Sequence, residues 1–285
     1  MNRRLRTLQS PKQSQKKRKK FIITSLLSLL CVILFFIIVI LFLRLPFLQI
    51  SIIEIKGITT MNEQAIRAEA LLSLDGYYFG IIPKSNTIFY PKSVIEKNLA
   101  YSFKKIDTLK IGRSWFSSLV VDIKEKAATA LVCDGFHGDE EQIQKCYAVD
   151  KDGYVFEESP HFSEGVYPHY YVENLDEGTS TIGMNFIDKA LFHDLQKFID
   201  TIQRAHISTV GILIGENNRF ELYLKNTDLT EVTVYFDNRL PFNKTATNLV
   251  AFWNDSITKK KNATTTPIFD YINLRFGNNI FYVTK

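Results

Sequence analysis

The sequence predicts an α+β protein hung on a single membrane-spanning helix. Three observations predict it. Phe21 to Leu43 is a run of 23 residues with no charged residue, proline or glycine. No second apolar run of comparable length follows. Beyond residue 50, two-residue alternation and helical apolar spacing take turns along the chain. At 1.5 Å per residue the apolar run reaches about 35 Å as a helix, enough for a hydrocarbon core of roughly 30 Å.

Nine basic residues and no acid precede this run, from Arg3 to Lys20. By the positive-inside rule residues 1–20 stay in the cytoplasm, 21–43 cross, and the rest lies outside as in a single-pass type II protein. The rival reading is a cleaved signal peptide, whose apolar core is about 7 to 15 residues before a small-residue cleavage site. Here the run is longer, and Arg44-Leu45-Pro46-Phe47 follows it with no such site.

Charge follows the same division. The chain has 35 basic and 30 acidic residues; without the nine of the tail the remainder carries 26 against 30, a net −4. A nucleic-acid partner requires a basic face on the folded part, which this balance does not supply. The tail sets orientation and meets anionic lipid head groups.

The exterior part reads as two successive units. Ile53-Glu54-Ile55-Lys56 alternates apolar and charged residues and stops at Gly57, as a half-buried strand does. Thr60-Met61-Asn62-Glu63 fits a capping box with Thr60 as N-cap, after which Ile66, Ala70, Leu71 and Leu74 share a helical face. A second helix starts near Pro91 and turns Val94, Ile95 and Leu99 inward. Strands at Leu109–Ile111 and Leu119–Glu125 complete a β-α-α-β-β order.

The second unit opens with strand residues Tyr147–Val149, a turn at Asp150-Lys151-Asp152-Gly153, and a return strand Tyr154–Phe156. Asp150 suits the turn because its carboxylate accepts from the backbone two residues on. Asn185 caps a long helix with Ile187, Leu191, Leu195, Phe198 and Ile202 inward. Strands follow at Val210–Ile214, Phe220–Leu224 and Val232–Phe236, then a helix from Pro241 to Trp253 burying Phe242, Ala246, Leu249 and Trp253. The chain closes on Ile268–Phe276 and Ile280–Val283, joined by Gly277-Asn278-Asn279.

No catalytic constellation emerges: there is no His-Glu-x-x-His, Gly-x-Ser-x-Gly or phosphate-binding glycine loop. His137, His161, His169, His193 and His206 lack a second His or Cys at ligand spacing, so no metal and no cofactor is expected. His161 and His169 fall in a proline-containing loop, and His193 reads as a solvated neighbour of Asp194. Asp139-Glu140-Glu141 reads as exposed loop charge. The sequons at Asn243, Asn254 and Asn262 read as chance occurrences. Cys31 lies in the apolar run; Cys133 and Cys146 end strand-like segments and can form a disulfide in an oxidising compartment. Arg275, between apolar neighbours, points outward, either pairing with an acid on an adjacent strand or meeting a partner.

Four pieces together resemble the FtsQ/DivIB family of bacterial cell-division proteins. Ile53-x-Ile55-x-Gly57 is similar to that family's first POTRA strand. Val121-x-Ile123-x-Glu125-Lys126-x-Ala128-x-Ala130 is similar to a strand ending in Glu-Arg/Lys-x-Pro-x-Ala. Tyr147-x-Val149-Asp150-x-x-Gly153-x-Val155-Phe156 resembles its Val-Asp-x-x-Gly hairpin. Tyr271-Ile272-Asn273-Leu274-Arg275-Phe276 resembles its closing Tyr-Val/Ile-Asp-Leu-Arg signature. Ala128 stands where the family has Pro, Asn273 where it has Asp, and Asp134 to Lys145 looks like an insertion.

The resemblance implies a POTRA domain at 48–126 and an FtsQ-type β domain at 127–285, a mixed α/β unit on an extended sheet. It implies a non-enzymatic divisome scaffold at the septum. Such a scaffold gathers small bitopic partners of the FtsB/DivIC and FtsL type and, through them, the septal peptidoglycan synthase. A terminal strand offers a row of unpaired backbone groups to such a partner. Here that strand is Ile280-Phe281-Tyr282-Val283, with Phe276 beside it, so Phe276, Ile280, Phe281 and Tyr282 are the candidate partner-binding residues and Gly57, Asp150, Gly153 and Arg275 the structural ones. The alternative class is an extracytoplasmic enzyme, hydrolase or transferase, on the same anchor.

Overall fold

The computed structural model describes residues 11–285, apart from 115–116, 136–144, 161–165, 174, 176–180, 227, 260–266 and 278. Arg3, Arg4 and Arg6, His137, Asp139-Glu140-Glu141, His161, Asn262 and Asn278 lie outside the described residues. The fold is mixed α+β, with one N-terminal apolar helix and a large C-terminal sheet. It divides into two units, Met1–Ser102 with Thr108–Lys124, and Phe103–Asp107 with Glu125–Lys285.

In the first unit, helix α1 runs Pro11–Leu43, and its stretch Arg18–Leu43 is long and apolar enough to cross a membrane. The side chains from Arg18 to Ile38 are all exposed, as a span facing lipid requires. Thr24 in this stretch turns its hydroxyl onto the carbonyl of Lys20 at 2.6 Å, satisfying itself inside the helix.

After a short 3₁₀ turn at Pro46–Leu48 come β1 (Ile52–Lys56), α2 (Glu63–Ser73), the two-residue strands β2 (Tyr77–Tyr78) and β3 (Ile82–Pro83), and α3 (Lys92–Ser102). Strands β4 (Ile106–Arg113) and β5 (Ser118–Glu125) complete a sheet ordered β1-β5-β4, with β1 parallel to β5. Alternation along β5 sends Leu119, Val121 and Ile123 into a core with Ile53, Ile66, Ala70, Ile95 and Leu99.

Gly57 ends β1 at φ +80°, and a Cβ there would lie 2.1 Å from the carbonyl oxygen of Ile123. Both the backbone conformation and the close approach therefore demand glycine.

Three sequence expectations fail in this unit. The cap of α2 is Asn62, whose Oδ1 accepts from the amides of Gln64 and Ala65, and Glu63 is already the first helical residue; Thr60 lies too far upstream. Leu71 is exposed because Ile66, Ala70 and Leu74 recur every four residues and Leu71 falls off their line. Val94 is exposed for the same reason beside the buried Ile95 and Leu99.

The second unit holds β6 (Ala130–Asp134), β7 (Cys146–Val149), β8 (Val155–Ser159), β9 (His169–Val172), α4 (Lys189–Arg204), β10 (Thr209–Gly215), β11 (Arg219–Lys225), β12 (Glu231–Asp237), α5 (Phe242–Lys259), β13 (Phe269–Phe276) and β14 (Asn279–Thr284). Nine of these strands form one sheet in the order β14-β13-β12-β11-β10-β9-β6-β7-β8. The parallel pairs β9–β10 and β12–β13 are each bridged by a helix, α4 and α5. Both helices pack on one face of the sheet.

The core between them is aromatic. Phe198 of α4 stacks on Phe236 at 4.6 Å between centroids, and Phe236 on Phe220 at 5.2 Å. Each fully buried ring contributes about 1.5–3 kcal/mol by burial. The cap of α4 is Asp188, accepting from the amides of Ala190 and Leu191. Asn185, expected to cap, instead donates to the carbonyl of Asp152 and straps the β7–β8 turn.

Candidate functional site

The nine-stranded sheet has two edges, and their chemistry differs. At one, β8 carries Glu157 and Glu158; Glu157 is held 2.7 Å from Lys105, and the chain at Gly183–Met184 hydrogen-bonds both backbone groups of Val155. Charge and a covering segment are the usual protections of an edge strand. At the other edge, β14 reads Asn-Ile-Phe-Tyr-Val-Thr, with no charge and no proline over six residues. Every residue of it except Ile280 is exposed, and its outer side pairs with no strand among the described residues.

This edge follows from topology. The helix α5 returns the chain parallel to β12, so β13 lands outside it, and the tight turn at Gly277 can only lay β14 outside again. Register sets Phe281 opposite Asn273, Tyr282 opposite Ile272, and Val283 opposite Tyr271. Successive side chains then take opposite faces.

The four residues expected to bind a partner separate accordingly. Tyr282 turns to the helix face, with its ring 5.1 Å from Phe252 and 5.6 Å from Phe269. Ile280 packs on the core of the same face. Phe281 faces away and meets Phe276 edge-to-face at 5.0 Å, both rings about half exposed. Phe276 and Phe281 therefore form one aromatic corner, with Tyr271 and Val283 continuing its exposed surface along the sheet.

Cations flank that corner. Asp237 at the end of β12 accepts from Arg239 through Oδ2, at 2.8 Å from Nε and 2.6 Å from Nη2, and Arg239 Nη2 also donates to the carbonyl of Arg275 at 2.9 Å. Burial pushes the Asp237 carboxyl up, but the side-chain and backbone hydrogen bonds from Arg239 outweigh it and hold the group below its ordinary range. Arg275 does point outward. It donates from Nε to the Asn273 side chain at 3.1 Å and lies 5.4 Å from the Tyr235 ring, and its charge helps to lower the Asp237 carboxyl at the end of β12. With Asn at 273 the neighbouring strand position offers an amide oxygen and no carboxylate.

No family model matches this chain, and no curated protein matches it.

The remaining candidate residues lie elsewhere. Asp150 starts the β7–β8 turn; Oδ1 accepts from the amides of Asp152 and Tyr154, and Oδ2 takes Lys126 Nζ at 2.6 Å. Gly153 closes that turn at φ +76°, with a Cβ position only 3.1 Å from the Phe192 ring. Cys133 and Cys146 stand opposite each other on β6 and β7 and are joined by a disulfide on the sheet face away from the helices. His169 sits not in a loop but on β9, buried and stacked near Tyr171. His193 meets Asp152 at 3.2 Å, not Asp194, because the turn lies against that side of α4; Asp194 pairs with Lys197. Among the described residues no group of His, Cys, Asp or Glu is placed to hold a metal.

Sequence reasoning missed Arg239 and the pairing of Tyr271 with Val283 on the exposed face. The Asp-x-Arg spacing at 237–239 was a usable signal, since an Asp side chain reaches the backbone two residues on. The Tyr271–Val283 pairing had none, because register across a hairpin is not written in either strand alone.

Proposed function

We propose that this chain is a non-enzymatic scaffold of the bacterial division machinery, of the FtsQ/DivIB kind. On this reading α1 anchors it in the cytoplasmic membrane, the basic tail is cytoplasmic, and both folded units work outside, at the septum. The β1-α2-α3-β4-β5 order, with a small hairpin between the helices, supports a POTRA reading of the first unit. Its partners are small bitopic proteins of the FtsB/DivIC and FtsL type, which link it to the septal peptidoglycan synthase.

The observation that carries the proposal is β14: a six-residue, charge-free strand at an edge of a nine-stranded sheet that no strand among the described residues covers. An extended partner segment adds there as a tenth strand, gaining backbone hydrogen bonds along its length. Specificity comes from side chains seated beside Phe276 and Phe281, aromatic residues being enriched at interfaces. An acidic residue on the partner suits the exposed Arg239 next to that corner.

The test is co-purification of full-length chain with its bitopic partners from detergent-solubilised membranes. Thr284→Pro removes a backbone donor from the outer side of the strand, the next amide, that of Lys285, being turned inward to Ile268, and Phe281→Lys places a charge on it. Loss of the partners from both variants, with an unchanged circular dichroism spectrum, is the expected result. Wild-type recovery of partners by both would rule out the β14 edge as the docking surface.

A further inference from the structure

The last carbonyl groups of a helix have no donor within it. At the end of α1 the carbonyl of Leu43 is instead met by two side-chain amides from the unit that follows, Asn86 Nδ2 at 2.8 Å and Gln49 Nε2 at 3.3 Å. Asn86 is fully buried, and its neighbour Thr87 donates its amide to Leu48 at 2.8 Å. The next residue, Arg44, donates from Nε to the carbonyl of Ile81 at 3.0 Å and lies 5.8 Å from the Tyr77 ring. The β2–β3 hairpin is thereby tied to the point where the apolar helix ends.

The turn of that hairpin is unusual. Ile81 donates its amide to Tyr78, closing a tight turn whose central residues, Phe79 and Gly80, have φ +48° and +70°. Such a turn favours Asn or Gly at both positions, because side chains resist positive φ. Here the first is phenylalanine, 99% exposed. Its ring gains almost no burial from its own chain in return for the strained backbone. Tyr77 and Ile81 beside it are also exposed, while the base of the hairpin carries Asp75 and Lys84. An apolar aromatic tip on a polar base is the distribution found where protein meets a bilayer surface.

We infer that the Tyr77–Ile82 hairpin is a second membrane contact, resting in the head-group layer of the bilayer that α1 crosses, with Phe79 as the inserted side chain. The inference rests on α1 being a retained anchor. The capping of Leu43 puts the hairpin at the depth where hydrocarbon gives way to head groups. Two contacts, helix and hairpin, then restrain the tilt of the first unit against the membrane where a helix alone leaves it free to swivel.

The test uses the full chain with Cys31→Ser and Phe79→Cys, labelled at residue 79 with an environment-sensitive nitrobenzoxadiazole dye. The protein is reconstituted in vesicles of phosphatidylcholine and phosphatidylglycerol. Expected are a blue-shifted emission, loss of intensity with nitroxide lipids labelled near the head group, and protection from iodide in the buffer. Ile81→Cys provides a second labelling site on the same turn. A chain that floats with the vesicles while both labels are open to iodide and untouched by nitroxide lipid overturns the hairpin contact and leaves the anchor standing. A chain that does not float with vesicles removes the anchor and the inference together.

Discussion

Lys126 and Asp150 form a nearly enclosed ion pair, Nζ to Oδ2 at 2.6 Å, with side chains only 16% and 11% exposed. Lys126 also lies 4.8 Å above the Tyr154 ring. The pair joins the segment after β5 to the β7–β8 turn, so the Glu-Lys-x-Ala and Val-Asp-x-x-Gly pieces of the sequence meet in space. Removing Asp150 leaves a poorly hydrated ammonium and two orphaned amides. Asp150→Ala is expected to cost roughly 3 kcal/mol, and Asp150→Asn less, since its amide oxygen still caps the turn. Urea unfolding midpoints of the three proteins check the order.

The two aromatic residues of β14 should separate stability from binding. Tyr282 packs on Phe252 and the buried Phe269, so Tyr282→Ala is expected to lower stability by about 1.5 kcal/mol. Phe281 touches the exposed Phe276, so Phe281→Ala is expected to cost only about 0.5 kcal/mol. Affinity for a strand-adding partner should show the reverse, with Phe281→Ala weakening it roughly tenfold. Thermal melts and titration of the partner peptide measure the two effects.

The Cys133–Cys146 bond closes a loop across a sequence separation of 13. Cross-linking a loop of that size removes unfolded-chain entropy worth about 3 kcal/mol. The Cys133→Ser/Cys146→Ser double variant, or reduction with dithiothreitol, should lower stability by about 2–3 kcal/mol. Differential scanning calorimetry with and without reductant reads it.

Tyr170 is fully buried among Phe186 and Phe192, and its hydroxyl has no hydrogen-bond partner among the described residues. Burial accordingly pushes its ionisation far upward. An unsatisfied buried hydroxyl is a cost, so Tyr170→Phe is expected to stabilise the second unit by about 1 kcal/mol. A lower melting temperature for this variant would mean that the hydroxyl is satisfied after all.

Asp237 should make stability depend on acid pH. Its carboxyl is held low in the folded chain, so the folded state binds fewer protons than the unfolded one. The contribution is complete above the unfolded carboxylate range and is lost as pH falls through the folded value. Asp237→Asn removes it. Unfolding midpoints of wild type and variant should therefore differ most near neutral pH and converge as pH falls below the ordinary carboxylate range.

Much of this architecture was legible because its causes are local. The apolar length of α1, the alternation of Phe220, Leu222 and Leu224, the three- and four-residue spacing in α5 and the Asp-x-x-Gly turn each depend on residues close in sequence. Caps were less legible: Asn62 and Asp188 are correct cap types, but Thr60 and Asn185 are equally good candidates a few positions away. The short β2–β3 hairpin escaped because a non-glycine residue such as Phe79 gives no turn signal.

The sequence by itself determined the long helices and most of the strands, β2, β3 and β9 excepted, and that one helix is apolar enough to cross a membrane, since helical and extended periods are properties of neighbouring residues. Only the tertiary structure decided that β14 is the edge left unpaired among the described residues while β8 is covered, that Phe276 joins Phe281 and not Tyr282, and that Lys126 finds Asp150. Those outcomes depend on register, crossover and burial, and they are fixed by contacts between residues tens of positions apart.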